Sequence, residues 1–584
     1  MIKDIKKIWF MLDKEQINSL LILSLLLVIG MFLEIIGLGA ILPIITFILD
    51  FETFASNELI SEHFGDIIGQ YQYNTIALVM LLGLIIIYTV KTFFLAFLTY
   101  RQSIILEYLF AYLSISLFKR YIVQPYKYHL NRDFPAMLKN LQIEVYHLVT
   151  YCRAILTTFV ETSLSIAVIG TILFIEPIGA LLIGILFIFL GSLYYIITKR
   201  KLVEWGEKRT NLDKHLSKIS LEALSGIKDI KLFSREKNFM GLFNQMTYKK
   251  TQIASYHETV SQLPRFYLEL VTVIALVFFI AFKIYIGQSK LVMISTIGVF
   301  VAATFRMIPS VNRVIGSLQT IKYYKSSVDL IYQEFKNLFL PANDFNNKDK
   351  ISFKREIILK NIEFRYNSNQ KKILNNVSLK IIKGQTIGII GKSGSGKSTI
   401  VDIINGLLKP SQGKIIVDGS SINEKEKEWQ KNIGNVGQDI YLIDDSIKRN
   451  IGFGLNDSQI DDQRIRNVLK AAQLFDFVNE LKNRAETIVG ERGIQLSGGQ
   501  RQRIGIARAL YHDPEVLIFD EATASLDNIT EKEVMKSIYR LSEDKTILIV
   551  AHRLSTLSDC DEVYEIIDGK INQKEKKWKS TILQ

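Results

Sequence analysis

Cysteine and charge are both scarce in this sequence. The 584 residues include only two cysteines, Cys152 and Cys560, which stand far apart and in no Cys-x-x-Cys spacing. This excludes a disulfide framework and gives no indication of a zinc site. Charged residues make up 22% of the chain and hydrophobic residues 48%, which excludes disorder as a description of the whole chain and makes a fully water-soluble globule an awkward interpretation. Low-complexity tracts and internal repeats are also lacking.

The chain is long enough for two to four domains, and it carries a net charge of +13. In a soluble protein such a basic excess suggests nucleic acid, whereas in a membrane protein it can come from cytoplasmic loops. The net charge alone does not distinguish a nucleic-acid-binding protein from a membrane protein. The high apolar content favours a membrane component, so we expect membrane lipid, and no nucleic acid, among the partners.

Long apolar runs lie almost entirely before residue 320. The run 18–49 has Glu34 as its one charged residue and exceeds the roughly 20 helical residues that cross a hydrocarbon core of about 30 Å. It is too long for the apolar region of a signal peptide and has no small-residue cleavage site, so we expect it to be retained. Six spans are predicted, at 18–49, 75–100, 154–174, 178–198, 266–286 and 291–315.

The distribution of charge predicts the orientation. The leader is basic, whereas residues 50–73 include five acidic residues and no lysine or arginine, which places the amino terminus in the cytoplasm. The basic residues of the leader are Lys3, Lys6, Lys7 and Lys14. Apolar residues stand between them, at Ile5, Trp9, Phe10 and Leu12. This mixture favours a short helix on the membrane surface, with a solvated leader as the alternative.

The later loops and a change of pattern predict two domains. Long charged segments at 101–153 and 199–263 indicate helices that continue well into the cytoplasm. Residues 338–350 are polar and turn-rich, as in a linker. After them, short β-rich runs such as 385–390, 515–520 and 545–550 alternate with helical segments, which is typical of an α/β domain with a mainly parallel sheet. We therefore predict a transmembrane domain at 1–335 and a second domain at 350–584.

The strongest chemical signal is the stretch Gly-Lys-Ser-Gly-Ser-Gly-Lys-Ser at 391–398, directly after a predicted strand and before a helical run. This is a complete P-loop in its required context. Glycines let backbone amides surround phosphate oxygens, Lys397 reaches the β and γ phosphates of ATP, and Ser398 can hold Mg²⁺. The alternative is a turn without a ligand. The residues predicted to bind the nucleotide are Gly391, Ser393, Gly394, Ser395, Gly396, Lys397, Ser398 and Thr399.

Two carboxylates close the apolar strand that ends at residue 520. Asp520 suits the Walker B role of holding Mg²⁺ through water, and Glu521 can polarise an attacking water, because the protein mainly positions groups and stabilises charge in phosphoryl transfer. Taken alone, such a pair is more often a solvated turn. When the pair follows a P-loop in the same domain, a role in binding Mg²⁺ and activating water is favoured.

Between these two sites lies Leu-Ser-Gly-Gly-Gln at 496–500. This pentapeptide, together with the P-loop, resembles the signature of ATP-binding cassette (ABC) transporters, and the resemblance covers the whole chain. Ser497, Gly498, Gly499 and Gln500 stand before an amphipathic helix, where an anion cradle and a simple helix cap are both compatible with the sequence. In the family this loop closes on the γ-phosphate held by the other subunit. One cassette per chain therefore implies a homodimer.

Four further positions match the family. The resemblance implies that Tyr366 stacks on adenine, that Gln438 touches Mg²⁺ and the membrane domain, that Asp527 is the D-loop aspartate and that His552 faces the γ-phosphate. Each residue alone is a weak signal, since a single histidine or tyrosine is usually structural. Glu521, His552, Lys397 and Gln438 are the candidate catalytic residues, and Ser398, Gln438 and Asp520 the candidate Mg²⁺ ligands.

Basic residues also occur inside the predicted spans. Lys91, Arg265, Arg306 and Arg313 fall in the half nearest the cytoplasm, where a cation costs about 3 kcal/mol unless it faces a cavity or a partner. They predict a basic belt suited to an anionic headgroup such as a pyrophosphate. The alternatives are that Arg265 pairs with Glu269 at i, i+4 and that Lys91 extends to the membrane surface.

Segments of the predicted transmembrane domain resemble one particular group of ABC transporters. Residues 32–38, 263–269 and 305–333 are similar to the flippase for lipid-linked oligosaccharides of bacterial protein N-glycosylation, and residues 51–69 resemble its short external helix. The resemblance implies a polyprenyl-pyrophosphate glycan as substrate and the bacterial inner membrane as location, with the amino terminus and the ATPase domain in the cytoplasm. A multidrug or lipid exporter of the same architecture is the alternative, and a nucleotide-gated channel is a second one.

The predicted fold is a six-helix transmembrane domain of the ABC exporter type followed by an α/β P-loop nucleotide-binding domain. ATP and Mg²⁺ are the expected cofactors.

Overall fold

The computed structural model of the protein describes residues 2–49, 72–175, 177–286, 290–339, 350–367, 371–522, 528–540, 545–551 and 554–574. The chain divides into two compact units, one formed by Met1–Gln124 with Arg132–Leu340, the other by Pro125–Asn131 with Pro341–Gln584. The short segment Pro125–Asn131 thus groups with the second unit, although the sequence analysis places it in the transmembrane domain. One reason is that the Lys127 ammonium lies over the Phe364 ring, 5.8 Å from its centroid.

The part of the chain before the linker is helical. Its helices are α1 (Ile2–Met11), α2 (Lys14–Leu49), α3 (Tyr73–Ile122), α4 (Tyr126–Leu130), α5 (Phe134–Lys139), a π-helical turn (Asn140–Glu144), α6 (Val145–Ile175), α7 (Pro177–Ser225), α8 (Ile227–Leu232), α9 (Glu236–Tyr285), α10 (Lys290–Tyr323) and α11 (Lys325–Asn337). The six predicted spans fall in six long helices, α2, α3, α6, α7, α9 and α10. Among the described residues, four segments are long and apolar enough to cross a membrane: Lys14–Gly37, Tyr73–Ile122, Phe134–Gly170 and Glu236–Phe282.

Three of these helices are much longer than a bilayer requires. Helices α3 and α9 have 50 residues each and α7 has 49, which corresponds to roughly 75 Å at about 1.5 Å per residue, against a hydrocarbon core of about 30 Å. More than half of each helix therefore extends beyond the membrane core. The extensions of α7 and α9 contact each other, since the Trp205 and Tyr256 rings stack with their centroids 5.7 Å apart.

An ionic network is buried among these extensions, outside the predicted spans. The Glu144 side chain is fully buried and lies 3.0 Å from the Lys139 ammonium and 3.5 Å from an Arg209 Nη. The Ser327 hydroxyl donates a 2.5 Å hydrogen bond to the same carboxylate and accepts one from Arg209. Burial would raise the pKa of Glu144, but the nearby His147, Lys139, Arg209 and Ser327 hold it at about 2. The carboxylate thereby joins the start of α6 to α7 and α11.

The second unit alternates strands with helices. Its strands are β1 (Glu356–Phe364), β2 (Leu374–Ile382), β3 (Thr386–Gly391), β4 (Gln412–Val417), β5 (Ser420–Ser421), β6 (Ile433–Val436), β7 (Val516–Asp520), β8 (Thr546–Val550), β9 (Glu562–Ile567) and β10 (Lys570–Gln573). Its helices are α12 (Lys397–Ile404), α13 (Glu426–Gln430), α14 (Ile447–Ile451), α15 (Asp462–Ala471), α16 (Phe475–Glu480), α17 (Gly498–Tyr511) and α18 (Asn528–Arg540), with 3₁₀ turns at Asp457–Gln459, Arg484–Glu486, Glu491–Gly493 and Leu554–Leu557.

Two sheets organise this unit. The smaller sheet is antiparallel, in the order β2-β1-β4-β5, and the larger has the order β10-β9-β3-β8-β7-β6. Strands β9, β3, β8, β7 and β6 run parallel, and β10 is antiparallel to β9. Because β3 and β7 both run parallel to β8, the loops that follow them leave the same edge of the sheet. This edge is where ligands bind in open α/β sheets.

Candidate nucleotide-binding site

The P-loop joins β3 to α12. Two of its glycines could not be replaced without moving the backbone. Gly391 and Gly396 have φ angles of 155° and 108°, and a Cβ atom would lie 2.6 Å from the Ile566 carbonyl oxygen and 2.9 Å from a Leu374 methyl group, respectively. Both close approaches depend on the absence of a side chain. In addition, residues other than glycine rarely adopt these φ values. The loop is therefore held compactly against the neighbouring strands.

The polar groups of this loop fit a phosphate. Lys397 is 5% exposed, and its ammonium donates to the Gly391 and Lys392 carbonyls at 2.9 and 3.2 Å, so its charge is directed into the loop. Gly396 caps α12, whose first N–H groups have no intrahelical acceptor. The Ser395 Oγ is buried without a hydrogen-bond partner among the described residues. Lys397, the start of α12 and Ser395 together form a donor set for the phosphates of ATP.

The acidic pair lies at the end of β7. Asp520 is in register with Val550 of β8, and the Glu521 amide donates to the Val550 carbonyl at 2.9 Å. Glu521 has a φ of 51°, a left-handed conformation that is uncommon outside glycine and is concentrated at functional sites. The Gln438 side chain donates to the Glu521 carboxylate at 3.1 Å. The structure thus brings Gln438 and Glu521 together, as a site for Mg²⁺ and an attacking water requires.

A further carboxylate lies beside this pair and was missed by the sequence analysis. Asp402 is half-buried on α12, and its burial and the nearby Asp520 charge raise its pKa to about 6. It follows Ser398 by four residues, so both lie on one face of α12. This i, i+4 spacing from the P-loop serine was the signal available in the sequence.

Tyr366 lies beside the P-loop helix. Its hydroxyl is 3.5 Å from the Thr399 Oγ1, and its ring meets the Phe364 ring edge to face, with centroids 5.0 Å apart. Tyr126 of α4 also lies near Tyr366 and Asp402. Its burial and these two neighbours raise the pKa of the Tyr126 hydroxyl. The aromatic position that the family resemblance assigns to adenine therefore borders both the P-loop helix and α4.

The signature loop forms a second helix start, at α17. The Ser497 hydroxyl accepts a hydrogen bond from the Gln500 amide at 3.2 Å, and the Gln500 side chain accepts one from the Ser497 amide at 2.8 Å. This is a capping box, and it orders Gly498 and Gly499 as the first turn of a 14-residue helix. The helix cap and the anion cradle considered from the sequence are therefore compatible. Asp527 and His552 lie outside the described residues.

The basic residues of the spans all meet carboxylates where they are described. Lys91 is 2.8 Å from Glu34, Arg265 is 2.9 Å from Glu269, and Arg313 is 2.7 Å from Glu161. The Arg265–Glu269 pair is the i, i+4 alternative considered from the sequence. Each of these three cations therefore has a carboxylate partner, and their role in binding an anionic headgroup stays a prediction. The Arg306 side chain lies outside the described residues.

Two of these arginines share a cavity. A space of about 480 Å³ is lined by Arg265, Glu269, Ile308, Pro309, Asn312 and Arg313, between α9 and α10. Lys91 is not among the residues that line this cavity, and its ammonium contacts Glu34 in α2. A second space of about 180 Å³ shares Glu269 and Ile308 and is otherwise lined by Thr272, Val273, Leu276, Val301 and Thr304. A charged compartment thus adjoins a mostly apolar one.

The fold and the nucleotide site together define a multi-pass membrane protein with a P-loop ATPase domain. The family model described as "ABC transporter" matches residues 374–524. The structure resembles a solved bacterial Atm1-family ABC exporter with ATP bound, with a TM-score of 0.74 and 23% sequence identity, over 95% of this chain and 96% of that one. This likeness confirms the exporter fold expected from the sequence.

Two curated relatives add to this result. The chain is 35% identical to an ATP-dependent lipid A-core flippase of Saccharophagus degradans, over 65% of this chain and 64% of the relative. It is 27% identical to an ATP-dependent lipid A-core flippase of Ralstonia nicotianae, over 81% of this chain and 80% of the relative. The chain is therefore similar to ABC transporters in its nucleotide-binding domain, has the fold of an ABC exporter, and spans just under two thirds, 64%, of the length of the first of these relatives.

Proposed function

We propose that the protein is a homodimeric, ATP-driven flippase that moves a lipid-linked oligosaccharide, carried on a polyprenyl pyrophosphate, from the cytoplasmic to the periplasmic leaflet of a bacterial inner membrane. The observation that carries the proposal is the pair of adjoining compartments between α9 and α10. Their arrangement suits an amphiphile with an anionic group next to an apolar chain. Both curated relatives are named as ATP-dependent lipid A-core flippases, which supports a lipid substrate rather than a drug.

In the nucleotide site, each residue has a distinct task. Lys397 and the start of α12 would hold the β and γ phosphates, and Ser398 and Asp520 would hold Mg²⁺, which neutralises phosphate charge when bound. Glu521 would orient the attacking water and accept its proton, while Gln438 keeps the Glu521 carboxylate in place through the 3.1 Å hydrogen bond. Ser497, Gly498 and Gly499 would close the site of the partner subunit, with Asp527 and His552 beside it.

In the membrane half, Arg265 and Arg313 would bind the pyrophosphate. Their side chains are 66% and 49% exposed, and among the described residues each guanidinium meets its carboxylate through Nε. The terminal Nη groups are therefore available as donors, in the fork geometry that suits a phosphate. Because Glu269 and Glu161 balance the charge of the two arginines, the anion would be bound by directed hydrogen bonds more than by net positive potential.

The substrate side is tested with proteoliposomes that contain a fluorescent polyprenyl-pyrophosphate glycan. We expect ATP-dependent loss of the label from one leaflet, and stimulation of ATP hydrolysis by the glycolipid. The double variant Arg265→Ala/Arg313→Ala should lose the stimulation and keep the basal hydrolysis rate. Arg101→Ala/Arg200→Ala, which removes two arginines that do not line the cavity, is the matched control. Undiminished stimulation of the cavity variant would show that the arginines do not bind the substrate.

The same vesicles distinguish the other substrates. A lipid A-core glycolipid is the second candidate, because it is the substrate named for both relatives. Transport of that lipid, with no transport of the polyprenyl glycan, would leave the flippase proposal standing and replace its substrate. Transport confined to a panel of drugs would instead identify a multidrug exporter.

The ATP side is tested with Glu521→Gln. We expect this variant to bind ATP with unchanged affinity, to lose turnover and to accumulate as an ATP-bound closed dimer. Full flipping by this variant would show that hydrolysis does not drive transport, which is the behaviour of a nucleotide-gated channel. Hydrolysis at the normal rate by a monomer under saturating Mg·ATP would remove the dimer from the proposal.

A further inference from the structure

A groove lies between the extensions of α7 and α9, outside the predicted spans. Its volume is about 460 Å³, within the range of small-ligand sites. On each helix the lining residues recur at three- and four-residue intervals, so each helix presents one face to this α7–α9 groove. The lining residues are Trp205, Lys208, Asn211, Leu212 and His215 of α7, and Lys249, Gln252, Ile253 and Tyr256 of α9.

The groove has an aromatic end and a basic end. The Tyr194 hydroxyl donates to the Val260 carbonyl, and further along α7 the Trp205 ring stacks on Tyr256, which comes earlier in α9. The two helices therefore run in opposite directions. Trp205 and Tyr256 form the end nearer the predicted spans, whereas His215, about 15 Å further along α7, lies at the end that faces away from them.

The aromatic end forms a flat platform. The Trp205 and Tyr256 rings are inclined by only 28°, and each covers one face of the other, so no slot for a flat base lies between them. Tyr256 is 47% exposed, and the open face of an aromatic ring carries partial negative charge, which attracts the C–H groups of a sugar ring. The Gln252 amide donates to the Tyr256 hydroxyl at 2.9 Å and keeps its own carbonyl oxygen as an acceptor for a sugar hydroxyl.

The charge of the groove is positive. Among the described residues that line it, Lys208 and Lys249 carry positive charge, His215 can gain it, and none is acidic. The one ion pair at the rim joins Lys208 to Glu204 at 2.6 Å, with both side chains more than half exposed. A solvated pair of this kind is weak, so a ligand anion can compete with Glu204. The groove therefore favours a saccharide that carries a negative group.

We propose that the α7–α9 groove binds an acidic oligosaccharide, with one sugar ring on Tyr256 and a negative group at Lys249. This site differs from the nucleotide site and from the cavity that contains Arg265, since Arg265 follows Tyr256 by about 14 Å of helix and half a turn. Two sources supply such a ligand, a glycolipid headgroup in the cytoplasmic leaflet or a free saccharide. The headgroup as the source rests on the proposed function.

Binding is measured on the full-length protein in lipid nanodiscs, through the fluorescence of Trp205. The chain has four tryptophans, so the Trp205 signal is the difference between the protein and its Trp205→Phe variant. The probes are trigalacturonic acid, which has a carboxylate on each ring, and maltotriose, a neutral trisaccharide. We expect a saturable change with the acidic probe and a dissociation constant at least about ten-fold higher for the neutral one, because hydrogen bonds to charged groups are stronger.

The groove variant is Lys249→Ala/Gln252→Ala, which should weaken binding of the acidic probe at least about ten-fold. Its control, Lys237→Ala/Gln245→Ala, removes the same two types of side chain from exposed positions of α9 outside the groove and should retain the affinity. A Trp205 signal that does not respond to the acidic probe, or that responds equally in the groove variant, would overturn the proposal. Tighter binding of uridine monophosphate than of the acidic probe would also overturn it, since the groove would then be a site for a base.

Stimulation of ATP hydrolysis separates the two sources. If the headgroup occupies the groove, the groove variant should need about ten-fold more of a polyprenyl pyrophosphate that carries an acidic glycan for half-maximal stimulation, and the same amount of polyprenyl pyrophosphate without a glycan. Unchanged amounts of both lipids, with weakened binding of trigalacturonic acid, would assign the groove to a free saccharide. If neither lipid stimulates the unmodified protein, the proposed transport function fails, and the Trp205 titration still decides whether the groove binds the saccharide.

Discussion

The carboxylate of Glu144 offers a quantitative test of what holds the helical extensions together. Substitution by glutamine keeps the size of the side chain and one acceptor for the Ser327 hydroxyl, and it removes the negative charge. The Lys139 and Arg209 side chains, 2% and 4% exposed, then stay buried with less compensation. Breaking a buried ion pair from one side typically costs 3–5 kcal/mol. We expect a loss of about that size for Glu144→Gln, because Asp213 contacts Arg209 only at 3.8 Å.

The purified protein is heated in nanodiscs, and the fraction that remains folded is measured at each temperature. The matched control is Glu204→Gln on α7, which removes the partner of Lys208 from an ion pair of 2.6 Å with both side chains more than half exposed. Solvated pairs of this kind contribute little, despite the short distance. The control should therefore behave as the unmodified protein.

The double variant Lys139→Met/Glu144→Gln separates the lost attraction from the cost of a stranded charge. If the stranded Lys139 ammonium carries most of the penalty, removing it should recover a large part of the stability lost in Glu144→Gln. Equal stability of Glu144→Gln and Glu204→Gln would refute the reasoning, since it would mean that the buried network contributes no more than a solvated pair.

Three further predictions concern single sites. Burial lowers the pKa of His257 to about 4, so its neutral form is favoured in the folded state, and this residue alone should lower stability by about 2 kcal/mol between pH 7 and pH 5 as the unfolded chain gains the proton. His257→Gln should reduce the pH dependence by that amount, and the rest should remain, because burial also lowers the pKa of His147 and of His512. Gly206→Ala should prevent correct folding, because its Cβ would lie 2.1 Å from a carbonyl oxygen of α10, whereas Gly241→Ala meets no atom within 4 Å and should be neutral or slightly stabilising in its helix. Asp402→Asn should stabilise the second unit above pH 6, because a carboxyl whose pKa is raised to about 6 costs stability once the pH passes its unfolded value near 4. Solvent screening of this half-buried group limits the gain to about 1–2 kcal/mol.

Each of these predictions has a direct check. The pH dependence is followed by thermal inactivation at pH 7, 6 and 5, and a parallel decline in His257→Gln would show that other groups cause it. The yield of folded dimer compares the two glycine variants, and equal yields would show that the backbone contact at Gly206 is absent in solution. Thermal unfolding of Asp402→Asn and the unmodified protein should converge below pH 4, and a constant difference across pH would contradict the assigned pKa.

The motifs of the candidate nucleotide site could be located from the sequence because each motif is contiguous. The P-loop, the acidic pair and the signature loop each consist of neighbouring residues, so spacing alone carries their geometry. The strand, the turn and the helix that a P-loop requires were found around residues 391–398, and the parallel sheet was found as expected. Gln438 came from the family resemblance, and its hydrogen bond to Glu521 was visible only in the structure.

The basic residues of the membrane half remain predicted substrate contacts, and the structure adds a carboxylate partner to three of them. Arg265 and Glu269 are four residues apart, so their pairing was open to sequence reasoning. The Arg313–Glu161 and Lys91–Glu34 pairs join distant segments, and only the packing of the helices brings them together. The cavity that contains Arg265 and Arg313 depends on the same packing.

The sequence by itself determined the membrane helices, the ATP-binding motifs and the order of the two domains, because hydrophobic length and local spacing express these features residue by residue. The tertiary structure alone decided which cations are neutralised, which faces of α7 and α9 line a common groove, and that Glu144 is buried among Lys139, Arg209 and Ser327. The physical reason is that burial and ion pairing depend on contacts between segments far apart in the chain, and no local pattern records those contacts.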